Sequence, residues 1–131
     1  MARGLVIGEG VKIRAINLSR KIVECPRCNT DSKRHSLGHR WLRDIGLSAP
    51  VILEVTYSKH YCPKCERHFN LPMEHLAQPG SNFTNRVHRT AIDLVAKQDY
   101  TLEKATEFME RKYQVHVPAT TIHDWVAVEV P

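Results

Sequence analysis

Two short loops, Cys25-Pro26-Arg27-Cys28 and Cys62-Pro63-Lys64-Cys65, hold every cysteine of the chain and restrict its folds more than any other feature. Four thiolates from two C-x2-C loops match the tetrahedral preference of Zn²⁺ and leave no coordination position for a substrate. Such a centre supports a fold rather than performing a reaction. The expected ligands are therefore Cys25, Cys28, Cys62 and Cys65, with Zn²⁺ as cofactor. Two disulfides would use the same residues in a small secreted protein. The N-terminus offers only the short apolar run Leu5-Val6-Ile7 in place of an export leader, so a reducing, cytoplasmic compartment is expected. Iron in a rubredoxin-like site is the remaining alternative. Against it, Asn29 and Glu66 stand where such loops usually place glycine after the second cysteine. Asparagine tolerates the left-handed backbone those turns need, whereas Glu66 is expected to find another geometry.

Four thiolates and one Zn²⁺ sum to a net charge of about −2, which backbone N–H groups and nearby cations must offset. Arg27 and Lys64 occupy matching positions inside the two loops and are suited to that role or to plain solvation. His35, His60 and His68 are close enough in sequence to compete as ligands, but with four cysteines in register they are expected at the surface.

The formal charge is +5 over 131 residues, the scale of one domain or two very small modules. Its distribution is uneven. Residues 1–35 hold eight Lys/Arg against three acids, whereas residues 82–131 hold six against seven. A polyanionic partner, double-stranded DNA, would meet the basic first part. No stretch approaches the length of a membrane span.

Val11 to Ile16 alternates apolar and basic residues, the period of a half-buried strand with one wet, positive face. Between the two loops lie 33 residues, enough for two further strands: one from about Arg34 to Arg43, the other over the β-rich Val51 to His60. Val51, Leu53, Val55 and Tyr57 share a face, and Trp41, Leu42, Ile45 and Phe69 add apolar mass beside the metal. The resulting fold class is α+β. It comprises an N-terminal strand or extension (1–20), a small antiparallel zinc-ribbon-like domain (21–77), a linker (78–82) and a helical domain (83–131).

In the helical part the apolar period becomes 3.6. Val87, Ala91, Leu94 and Val95 form one stripe, Leu102, Ala105, Phe108 and Met109 a second, and Ile122, Trp125 and Val126 a third. Thr101 is the expected N-cap of the second helix, and Pro118 suits the first position of the third. The short connection from Tyr113 to Val117, followed by Thr120-Thr121-Ile122-His123-Asp124-Trp125, has the form of a helix-turn-helix entering its recognition helix. With Ile122, Trp125 and Val126 inward, Thr120, Asp124 and Ala127 face outward and His123 flanks them. Thr120 and His123 can donate to bases or phosphates. The face has no Arg or Lys.

Taken in order, the CPxC loop, the basic strand, Trp41-Leu42-Arg43-Asp44-Ile45, the Val/Leu-rich strand, Tyr61-Cys62-Pro63-Lys64-Cys65 with Phe69, Tyr100-Thr101-Leu102-Glu103-Lys104-Ala105 and Thr121-Ile122-His123-Asp124-Trp125 resemble the N-terminal part of ISL-three insertion-sequence transposases. The likeness spans roughly residues 21–128. It implies a zinc-binding domain and a helix-turn-helix that together hold transposon ends, ahead of a DDE nuclease domain for which these 131 residues leave no room. The chain departs from that pattern at Asn29 and Glu66 and in its arginine-poor recognition helix.

The expected function is a non-catalytic, zinc-dependent DNA-binding protein, either a transposase-derived fragment or a regulator built from the same parts. Lys33, Arg34, Arg40, Arg43 and Lys59 would grip phosphates, while Thr120 and His123 would read bases. The competing expectation is a zinc-ribbon module that docks on a protein partner. RNA binding ranks behind both, since no aromatic stacking pair is evident among the basic strands. Scattered carboxylates and a closed metal site argue against enzymatic activity.

Overall fold

The computed structural model describes residues 10–129, so the Leu5-Val6-Ile7 run and the outer part of the 1–20 extension lie outside the described residues. The chain is α+β. Strands β1 (Lys12–Asn17), β2 (Ile22–Glu24), β3 (Asp31–Asp44), β4 (Val51–Cys62) and β5 (Arg67–Asn70) precede helices α1 (Asn85–Ala96), α2 (Leu102–Tyr113) and α3 (Ala119–Glu129).

The sheet is mixed, not purely antiparallel as expected. Strand β4 lies at its centre and pairs with β3 and β5 antiparallel but with β1 parallel, Lys12 opposite Val51 through Asn17 opposite Thr56. Strand β2 extends the far edge beside β3. A parallel partner requires a crossover rather than a tight turn. The connection from β1 to β4 is long, residues 18–50 with β2 and β3 included, and its first four residues carry the chain from β1 beside β4 to β2 beyond β3. The residues before the first cysteine loop are thereby built into the sheet. The half-buried character expected of β1 is confined to Ile16; Ile13 remains 45% exposed on this edge strand.

Both central strands outrun their expected limits. Strand β3 begins at Asp31, directly after the first cysteine loop, and β4 runs on to Cys62, so the second loop grows from the end of a strand. Leu42, Leu53, Val55 and Ala77 form the sheet core, against which Ile16, Leu18, Met73 and Leu76 pack. Each of these Leu, Ile, Val and Met side chains, when fully buried, contributes about 1.5–3 kcal/mol.

The three helices enclose a second core of Val87, Ala91 and Leu94 from α1, Ala105 and Met109 from α2, Val115 and Val117 from the connection, and Ile122 from α3. Thr101 caps α2 as expected, its hydroxyl accepting from Lys104 N–H. Gln114 ends α2 in the left-handed conformation, its N–H donating to the Glu110 and Met109 carbonyls. Pro118 falls one residue outside the expected place: α3 starts at Ala119, and the Pro118 carbonyl accepts the first bond from Ile122 N–H.

Sheet and helices are tied at several points. Arg43 N–H donates to Asn82 O and Thr84 N–H to Arg43 O, and Gly46 N–H donates to the Tyr113 carbonyl at the end of α2. Buried Asp44, at the end of β3, accepts from the Thr84 hydroxyl at 2.7 Å and pairs with Arg86, while Thr84 caps α1.

Candidate metal centre

The two cysteine loops are built alike. Cys25 N–H donates to Thr30 O and Asn29 N–H to Cys25 O; in the second loop Glu66 N–H donates to Cys62 O. Asn29 (φ 59°) and Glu66 (φ 55°) both take the left-handed conformation that closes such a loop. The expectation that Glu66 would need another geometry is corrected: the loop closure outweighs the side chain's modest penalty, and Glu66 is exposed, where its carboxylate stays hydrated.

The four sulfurs converge. All lie within 4.8 Å of one another, with Cys28 to Cys65 at 3.4 Å, Cys28 to Cys62 at 3.5 Å and Cys25 to Cys65 at 3.9 Å. The edge of a tetrahedron with bonds of 2.3 Å is about 3.8 Å, so these separations are close to those of one ion held by four thiolates. Cys25 and Cys62 are buried and Cys28 and Cys65 partly so, which shields the centre without sealing it. The cysteine set can hold a metal ion.

The surroundings are arranged for anionic sulfur. The Thr30 hydroxyl lies 3.2 Å from Cys28 Sγ and, with the Thr30 backbone N–H, holds that thiol down to about 6. Cys65 N–H donates to Cys62 Sγ at 3.3 Å and lowers that thiol too. Cys65 is instead pushed up to about 12 by the neighbouring Cys28 sulfur and by burial. Sulfurs this crowded cannot all ionise on their own. A divalent cation removes the conflict by supplying the positive charge in their midst.

Beneath the loops lies a support that sequence reasoning missed. His60 was expected at the surface, yet it is fully buried and stacks on Phe69 with ring centroids 5.5 Å apart. Its Nδ1 faces the Ser32 carbonyl at 2.9 Å, which accepts only, so Nδ1 carries a proton, while Nε2 is hydrogen-bonded to the Ser58 hydroxyl at 2.7 Å. Arg20 N–H donates to the same Ser58 oxygen, and the Ser32 hydroxyl donates to Thr30 O, linking the chain of bonds to the first loop. The signal was present: Ser58, His60 and Cys62 alternate along one strand and therefore share a face. His35 and His68 are exposed, as expected.

The expected nucleic-acid contacts do not form one stripe. Lys33 and Arg34 are exposed on β3, Lys59 is half-buried on β4, and Arg40 and Arg43 leave β3 on opposite faces. Arg40 is already engaged, donating to the Gln78 and Ser81 carbonyls at 2.5 and 2.7 Å. That contact fastens the 78–82 segment to the sheet. On α3, Thr120 and His123 are exposed and Ile122 is buried, with His123 Nδ1 3.4 Å from Asp124 Oδ1.

No helix among the described residues is long and apolar enough to cross a membrane. Comparisons of the chain with protein-family models, with curated proteins and with solved structures give no match, so the reading of its function rests on the geometry above.

Proposed function

We propose that the chain is a Zn²⁺-dependent, non-catalytic DNA-binding protein that uses the cysteine centre to hold its sheet and the α2–α3 unit to meet the duplex. Zinc is favoured because four sulfurs at tetrahedral separations, with no open position, suit a borderline-soft ion without geometric demands of its own. The observation that carries the DNA reading is the disposition of α3, which anchors Ile122 in the helical core and turns Thr120 and His123 outward after a short turn from α2. In this reading the protein is cytoplasmic and acts as a regulator or as a transposase-derived fragment, the assembly of parts that the resemblance to ISL-three transposases suggests.

Arg34 and Arg43, which share the sheet face of their β4 partners His60 and Ile52, supply the phosphate contacts; Lys33 and Lys59 lie on the opposite face, and Arg40 is held by backbone carbonyls. Two phosphate contacts in place of five lower the expected salt response: affinity falls roughly 12-fold between 50 and 200 mM salt. Filter binding to a random-sequence duplex across that range is the test, and a flat salt response removes the proposal. Arg34→Glu weakens all duplexes alike, whereas Thr120→Ala acts mainly on a preferred site.

A second reading, docking on a protein partner, draws on Ile13 and Leu37, 45% and 48% exposed on the sheet. Binding that is absent for every nucleic acid at low salt favours this reading over the first.

A further inference from the structure

Away from the cysteine centre, two imidazoles meet across β4. His68 on β5 pairs with Tyr61 in the ladder, and His35 is the extra residue of a β-bulge in β3, where the register shifts between Arg34 and Ser36. Bulges re-aim a side chain, and here the result brings His35 Nε2 to 3.1 Å from His68 Nδ1, with the rings at 67° and centroids 4.7 Å apart. Tyr61 flanks the pair, its ring 4.9 Å from that of His68.

Stability alone is a poor reason for this arrangement. Both imidazoles are exposed, and a hydrogen bond between them competes with equally good bonds to water. Among the described residues neither ring nitrogen has another protein partner. The separation instead fits chelation. Two imidazole nitrogens bound at about 2.05 Å to one ion lie about 2.9 Å apart at a right angle and about 3.3 Å apart at the tetrahedral angle. The observed 3.1 Å falls between these values.

We infer that His35 and His68 form a second metal site, which takes a divalent transition ion that prefers imidazole, of the Ni²⁺ or Zn²⁺ class. Water completes the coordination, since no carboxylate joins the two rings among the described residues. The basic neighbours are Lys33 and Arg34 beside His35, and Arg67 beside His68, which pairs with Cys62 and so points to the face opposite His68. The ion is thus held by ligand geometry rather than by local negative charge, and it binds only when both imidazoles are neutral. Bound there, it bridges β3 to β5 over the strand that carries the second cysteine loop.

The test uses the full chain with its cysteine centre loaded with Zn²⁺ and Ni²⁺ as probe, read by paramagnetic broadening of the histidine ring signals. His35 and His68 should broaden together at a Ni²⁺ concentration roughly tenfold or more below that needed for His75, an exposed histidine without a hydrogen-bonded ring partner among the described residues. In His35→Ala the response of His68 should drop to that of His75, and His68→Ala should do the same to His35. The amide spectrum of each variant reports that the fold is intact. Broadening equal at all exposed histidines, retained in either variant, or confined to the cysteine loops overturns the inference.

Discussion

Arg86→Met should destabilise the protein far more than Asp44→Asn, although each change removes the same ion pair. The Asp44 side chain is fully buried, while that of Arg86 is 67% exposed. Removing Arg86 strands a carboxylate away from water with only the Thr84 hydroxyl to satisfy it, a loss of about 3 kcal/mol. Removing the charge from Asp44 leaves an amide oxygen to accept from Thr84 and returns Arg86 to solvent, a loss of about 1 kcal/mol. For a chain of this length the two losses correspond to falls in Tm of roughly 10 °C and roughly 4 °C. Thermal unfolding of zinc-loaded protein followed at 222 nm measures both. The double variant should resemble Asp44→Asn alone, since no charge is left stranded. If Arg86→Met proves no worse than Asp44→Asn, or if the two losses simply add, the account of the joint between sheet and helices is wrong.

Stripping the metal under reducing conditions should abolish exchange protection at Ser32, Ser58 and His60 while the α1–α3 core keeps its helical signal; a sheet that stays protected without metal contradicts the role given to the cysteines. Gly46→Ala should cost about 3 kcal/mol, because the added Cβ would lie 2.0 Å from the Ala49 carbonyl oxygen, a backbone atom, and an unchanged Tm would show that the β3–β4 connection yields freely. His88 stacks on Trp125 with ring centroids 4.3 Å apart, and burial holds its pKa below the ordinary 6.5. The unfolded chain therefore binds this proton first: stability is full above pH 6.5, falls as the pH drops from there toward the folded value, and then levels off. Against His88→Gln, the parent protein should lose more stability on acidification across that window, and parallel pH profiles would rule the effect out.

How much could be read in advance depended on the range of the interactions. The cysteine spacing, the strand alternation of Val51 to Tyr57 and the stripes of the three helices are local patterns, and local geometry is imposed by neighbours in sequence. The Thr101 cap is of the same kind. Asn29 and Glu66 show the limit of such reasoning: residue preference argued for a left-handed turn at the first and against it at the second, and loop closure imposed it on both.

Tertiary structure decided the rest. That β1 runs parallel to β4 is a matter of which distant edge is free to pair, and nothing in Val11 to Ile16 carries that information. The removal of Arg40 from the exposed basic set followed from where residues 78–81 come to lie, and the meeting of His35 with His68 from one extra residue in a ladder. His60 became a buried support because Ser32 and Ser58, 28 and two residues away, were brought to its two nitrogens. From the sequence alone came the cysteine set and the elements. Their partners across the chain came only with folding, because a buried polar group must find its counterpart wherever the packing of the core delivers one.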